Sequence, residues 1–230
     1  MAKSKKSKKK VIVARNTMIM FITIIVIMIL SFGTYVSTGG GHPSEITADN
    51  DYRVLENPRP RRPGDPITVI EYFSYGCIHC KTFDPVIKEW AEAQEDDVEV
   101  VMVPANFSPI WALLAQSYLA LEQVDALGQN HNRIFRALHD AGRQFLTPEM
   151  VADYVDGRGI TREEFLRAFN SPSVKRKMQD AERDQRAWGV SATPSLIVAG
   201  KYLVTMQGGQ GRALQVVDHL IETERAGDST

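Results

Sequence analysis

One change of period constrains this chain more than any other feature. Residues 66–75, PITVIEYFSY, are β-branched and aromatic and sit between a proline and a glycine, the pattern of a buried strand. From Cys77 to about Gln94 the apolar spacing turns helical, with Phe83, Ile87 and Trp90 at i, i+4 and i+7. Pro85 falls inside that helix, where it is expected to kink it. A second apolar run, VEVVMVPANF at residues 98–107, completes a strand–helix–strand unit. Such a unit needs a crossover and forces its two strands to be parallel. At its turning point stand the chain's two cysteines, Cys77 and Cys80, with His79 between them.

The pattern then stays helical for about eighty residues. PIWALLAQSYLALEQV and HNRIFRALHDA read as helices. TPEMVADYV begins with Thr147 as N-cap and Pro148 at the first helical position, and Thr161 and Glu164 have capping-box spacing. Ser171 and Pro172 open another helix, with Val174, Met178, Ala181 and Trp188 on its apolar face and Gly189 at its end. SLIVAGKYLV, residues 195–204, is two short apolar runs joined by AGK, a hairpin and therefore antiparallel. An amphipathic helix with Leu214, Val217, Leu220 and Ile221 on one face closes the chain. The expectation is an α/β fold, a small mixed sheet with helices on both faces and a helical subdomain inserted at about residues 108–188.

Charge is distributed unevenly. Seven of the 27 basic residues and none of the 28 acidic ones lie in residues 1–36, so the remainder carries 20 against 28, a balance of −8. That argues against nucleic acid as a partner. The basic head, residues 1–17, runs into 19 uncharged residues, 18–36, MIMFITIIVIMILSFGTYV. At ~1.5 Å per residue these span roughly 28 Å, the hydrocarbon thickness of a bilayer. Basic residues before the run place the head in the cytoplasm and the rest across the membrane. A cleaved signal peptide is the competing reading, but its apolar region is usually shorter and ends in an A-x-A-like site; VSTGGG follows here. Length and flank favour an uncleaved, single-pass anchor. Residues 37–65, with STGGGHPS and the four-proline ENPRPRRPGDP, read as a linker, placing the folded domain at 66–225 and a tail at 226–230.

The cysteine pair admits three readings. A zinc site needs about four ligands, and His42, His131 and His139 belong to other segments. Haem attachment needs C-x-x-C-H, and Lys81 follows Cys80. A staple closing so short a loop removes little chain entropy. A redox pair fits best. Cys77 at a helix N-terminus meets unpaired N–H groups and the positive end of the helix dipole, which favour a thiolate. Cys77 is expected exposed and attacking; Cys80, one turn on and more buried, resolves the mixed disulfide. His79 is expected to favour the Cys77 thiolate further. Glu71 is anomalous, a carboxylate inside an apolar strand; buried, its pKa should rise and it can relay the Cys80 proton, whereas at a strand edge it would face solvent. Pro194, after Thr193, stands at a strand start, where proline is tolerated.

IEYFSYGCIHC and WGVSATPSLIVAGKY together resemble the active-site strand and the proline loop of the DsbA-like thiol:disulfide oxidoreductases of the thioredoxin superfamily. The resemblance covers roughly residues 66–225. It implies a thioredoxin-like fold (β-α-β … β-β-α) with an inserted helical subdomain, and Cys77–Cys80 as redox disulfide. It also implies a catalytic role for His79, a buried acid at Glu71, and a cis Pro194 that with Thr193 binds substrate. The family's typical oxidant motif has proline before the histidine; Ile78 takes its place here.

The implied activity is an oxidase that donates its disulfide to exported polypeptides with free thiols, with no cofactor beyond that disulfide and no metal. A quinone-linked membrane partner would reoxidise it. The expected place is the bacterial cytoplasmic membrane, with the domain on the periplasmic side. A reductase or isomerase, for example in cytochrome maturation, is the alternative. Isomerases usually add a dimerisation module, and 29 linker residues leave no room for one, which favours a monomer. A non-enzymatic peptide- or metal-binding module is the third reading; it would keep full function with one cysteine.

Overall fold

The computed structural model describes residues 45–48, 50–62 and 64–228. Its elements are β1 (Tyr52–Val54), β2 (Ile67–Phe73), α1 (Ile78–Glu92), β3 (Val98–Pro104), α2 (Pro109–Gln123), α3 (Leu127–His139), α4 (Pro148–Val155), α5 (Arg162–Phe169), α6 (Pro172–Ala187), β4 (Ser195–Val198), β5 (Tyr202–Val204) and α7 (Gly209–Asp228). The sheet has the order β1-β5-β4-β2-β3. β2 and β3 are parallel, as their crossover through α1 requires; β4 is antiparallel to both β2 and β5. Glu71 stands in the central strand, opposite Met102 on one side and Leu196 on the other.

Side-chain alternation along β2 divides the core. Ile67 and Val69 point to the face covered by α1, through Phe83 and Ile87, and by α7, through Ala213, Val217, Leu220 and Ile221. Each fully buried aliphatic or aromatic side chain here is worth roughly 1.5–3 kcal/mol. Ile70 and Tyr72 point to the other face, under Leu55, Trp188 and Val190. Helices α2–α6 form their own core, which reaches the sheet's end at Phe73, Tyr75, Cys77 and Cys80.

The caps expected at Thr147, Thr161 and Ser171 are in place, and Ser108 adds another. Ser108, Thr147 and Ser171 each accept a backbone N–H ahead of a proline at the helix start, and Thr161 with Glu164 closes a capping box. The hairpin turns through Ala199 and Gly200, both at positive φ, as the type I′ turn demands. Gly200 has a second reason to be glycine: a Cβ there would lie 2.1 Å from the Arg59 carbonyl oxygen.

Arg59 lies in residues 37–65, the stretch expected to be a linker. The stretch read as linker contributes to the fold, because β1 pairs antiparallel with β5 and extends the sheet by one strand. Leu55 is buried beside it, and the Leu55 and Arg59 amides donate to the Lys201 and Gly200 carbonyls, both at 2.8 Å. The Arg59 guanidinium lies 5.3 Å from the Trp188 ring centroid and 2.7 Å from Asp184. Residues 55–59 thus run as a strap along the β4–β5 turn. At the other end α7 continues to Asp228, beyond the expected boundary at 225. The expected anchor and basic head lie outside the described residues; among those described, no helix is long and apolar enough to cross a membrane.

Candidate active site

Strand β2 ends at Phe73, and four residues later Cys77 is the N-cap of α1. It occupies the position usually held by Ser, Thr, Asp or Asn, and its sulfur does their work, accepting the Cys80 backbone N–H at 3.4 Å. Both cysteines carry free thiols. The Cys80 thiol hydrogen bond to Cys77 is the largest influence lowering the Cys77 pKa. With help from the Thr193 side chain and the Cys80 and His79 backbone, it outweighs burial and brings that pKa to about 5. Burial and the neighbouring Cys77 drive Cys80 far the other way. The two thiols are therefore unlike at neutral pH, one anionic and one protonated, which is the asymmetry that attack followed by resolution needs.

Two expectations about these side chains need adjustment. Cys77 is 8% exposed rather than open, because the proline loop covers it; its Sγ lies 3.4 Å from the Thr193 carbonyl oxygen. His79 supports the thiolate with its backbone N–H, whereas its side chain is exposed. The imidazole instead helps line a groove of about 280 Å³ with Thr193, Pro194, Met206, Gly209 and Gln210. The Thr193–Pro194 peptide is cis. The Thr193 hydroxyl is buried and approaches the cysteines without closing a hydrogen bond.

Glu71 is fully buried, and neither of its carboxyl oxygens has a hydrogen-bond partner among the described residues. Burial first, then the negative charge of Asp84, pushes its pKa up to about 8, while Lys88 opposes the rise. Asp84 is the contrast. Burial raises it too, but hydrogen bonds from His131 (2.8 Å) and Lys88 (2.8 Å) prevail and hold it below the usual carboxylate range. An ionised Asp84 accepts the His131 Nε2 hydrogen, and in a neutral ring Nδ1 then accepts from the Tyr75 hydroxyl, 3.0 Å away.

The sequence pointed to Cys77, Cys80, His79, Glu71, Thr193 and Pro194, but not to Asp84, His131 or Tyr75. Asp84 has Lys88 four residues on, the signature of a solvated helix pair. His131 is separated from Asp84 by 47 residues, so no local pattern marks it. Among the described residues no group of three or more His, Cys, Asp or Glu side chains is placed to hold a metal ion.

A sheet of this order, carrying a dithiol at the N-terminus of its crossover helix beside a cis-proline loop, defines a thioredoxin-fold protein made for thiol–disulfide exchange. The model of the DSBA-like thioredoxin domain matches residues 68–220, and the chain belongs to that family. The thiol:disulfide interchange protein DsbA of Pseudomonas aeruginosa is 38% identical over 184 residues, 79% of this chain and 87% of that protein. Its counterpart in Azotobacter vinelandii is 37% identical over 186 residues, 80% of this chain and 87% of that one. The crystal structure of P. aeruginosa DsbA aligns with a TM-score of 0.77 at 37% identity, covering 81% of this chain and 98% of that chain. The DsbA structure from Xylella fastidiosa gives 0.74 at 31% identity, covering 79% and 98%.

Proposed function

We propose that this chain is a thiol:disulfide oxidoreductase that works as an oxidase on exported polypeptides. The observation that carries this is Cys77 as N-cap of α1, its thiol drawn down to about 5 beside a protonated Cys80. A thiolate this stable is a good leaving group, and its stability favours the reduced enzyme, so the disulfide is readily given away.

In the oxidised enzyme a substrate thiolate attacks Cys77. The Cys77–Cys80 bond breaks, a substrate–Cys77 disulfide forms, and Cys80 takes a proton. A second substrate thiolate then attacks the first substrate sulfur and releases Cys77 as thiolate. The substrate loses two electrons to the enzyme's two sulfurs. Glu71, holding its proton up to about pH 8, is the acid that serves Cys80. The Thr193 carbonyl beside the sulfur and Pro194 form the edge against which an extended substrate segment pairs. Residues 18–36 anchor the enzyme in the cytoplasmic membrane with the domain outside, where a quinone-linked membrane protein reoxidises it.

Thiol trapping in intact cells tests the direction. A pair held mainly as disulfide means an oxidase; a pair held mainly as dithiol means a reductase or isomerase. Role assignment is tested by substitution: Cys80→Ser should accumulate mixed disulfides through Cys77, and Cys77→Ser none. Equal trapping by both would refute the division of labour.

A further inference from the structure

Cys77 is delivered to its helix by a β-turn over residues 74–77, closed by the Cys77 N–H on the Ser74 carbonyl at 3.0 Å. The middle peptide of such a turn, here Tyr75–Gly76, is the one whose rotation interconverts types I and II, and glycine in the third position makes type II accessible. Gly76 does not take a positive φ, so the turn is not in that form. The glycine answers another need, since a Cβ there would lie 2.8 Å from Trp111 Nε1. Close packing has therefore left a peptide beside the reacting sulfur with an alternative orientation open to it.

Two contacts oppose that alternative: within the turn the Gly76 N–H donates to the Ser74 hydroxyl at 3.1 Å, and helix α3 takes the carbonyl end. His139, in its last turn, has Nε2 2.8 Å from the Tyr75 carbonyl oxygen. The other end of Tyr75, its hydroxyl, is held by His131 of the same helix at 3.0 Å. Asp140, the C-cap of α3, pairs with Lys81, the residue after Cys80. One helix of the inserted subdomain thus holds the chain on both sides of the cysteine pair. We propose that His139 is a positioning residue for Cys77: by donating its Nε2 hydrogen to the Tyr75 carbonyl it locks the Tyr75–Gly76 peptide and keeps the sulfur at the N-terminus of α1. The proposal rests on the reading of Cys77 as the attacking thiol.

The reduced full chain in detergent supplies the test, through thiolate absorbance against pH and iodoacetamide alkylation at pH 4, below the Cys77 value of about 5. His139→Leu removes the donor. It should raise the Cys77 pKa by about half a unit, which slows alkylation at that pH about threefold. His139→Gln offers an amide N–H to the same carbonyl and should restore the parental titration. A His139→Leu protein that has lost stability but titrates and alkylates like the parent would assign the residue a structural role and overturn the proposal. A parent without a low-pKa thiolate would remove the reading of Cys77, and the proposal with it. Should His139→Leu fail to fold, the parent still decides. A carbonyl can only accept, so the ¹⁵N signals of the His139 ring must show hydrogen on Nε2, and a neutral ring protonated at Nδ1 alone would overturn the assignment.

Discussion

At the scale of single residues, the Cys77 thiolate makes stability depend on both redox state and pH. Its folded pKa of about 5 lies below the unfolded value of about 8.5. The stabilisation of the reduced form is therefore complete above ~8.5 and is lost as pH falls toward 5. At pH 7 it amounts to roughly 3 kcal/mol. Against it stands the loop-closure entropy of the disulfide, about 2 kcal/mol for so short a ring. Denaturant unfolding of both forms should find the reduced protein ahead by about 1 kcal/mol at pH 7 and by about 2 kcal/mol at pH 8.5, with the order reversed below ~pH 6. A gap that does not widen with pH would contradict a low-pKa Cys77. Glu71 has the opposite sign. Its pKa rises on folding to about 8, so its contribution is most favourable below ~4.3 and is lost as pH climbs to 8. Glu71→Gln should stabilise the fold at pH 7 by about 4 kcal/mol at most and leave it nearly unchanged at pH 4. With Glu71 as the acid proposed for Cys80, the same variant should slow reduction of the enzyme by substrate about a hundredfold or more, by stopped flow.

At the scale of elements, local chemistry and tertiary pairing contribute differently. Thr147, Thr161 and Ser171 were legible as caps because a cap is a contact within one turn of chain. The segment Tyr52–Val54 was not legible as a strand. Three residues among prolines and charges carry no period, and what makes them a strand is the free edge of β5. The consequence is measurable at Leu55, which is 3% exposed. Leu55→Ala should cost about 2–4 kcal/mol in urea, as a lower midpoint with unchanged slope. A residue of a solvated spacer would cost nothing.

At the scale of the whole molecule, β1 and the strap shorten whatever spacer separates the fold from residues 18–36. The full chain should sediment with membranes, resist alkaline extraction and keep a mature N-terminus near residue 1. A soluble product beginning near residue 40 would show that the apolar run is a cleaved signal. The mixed sheet and its helical insertion could be read from the order of periods alone, since a crossover fixes parallel pairing and a short hairpin antiparallel pairing.

What the sequence determined by itself was whatever is local: the strand-to-helix switch at Cys77, the dithiol spacing, the caps and the AGK hairpin. These depend on neighbours within a few residues, and backbone geometry does the rest. The tertiary structure alone decided the environment of the reaction. Glu71 became a buried, raised carboxyl only once β3 and β4 flanked β2 and α1 and α7 covered that face. Asp84 met His131 across 47 residues, and Tyr75 met His139 across 64. The physical reason is the same in each case. Desolvation and long-range hydrogen bonds exist only after distant segments have excluded water between them, and no pattern along the chain records which segments those are.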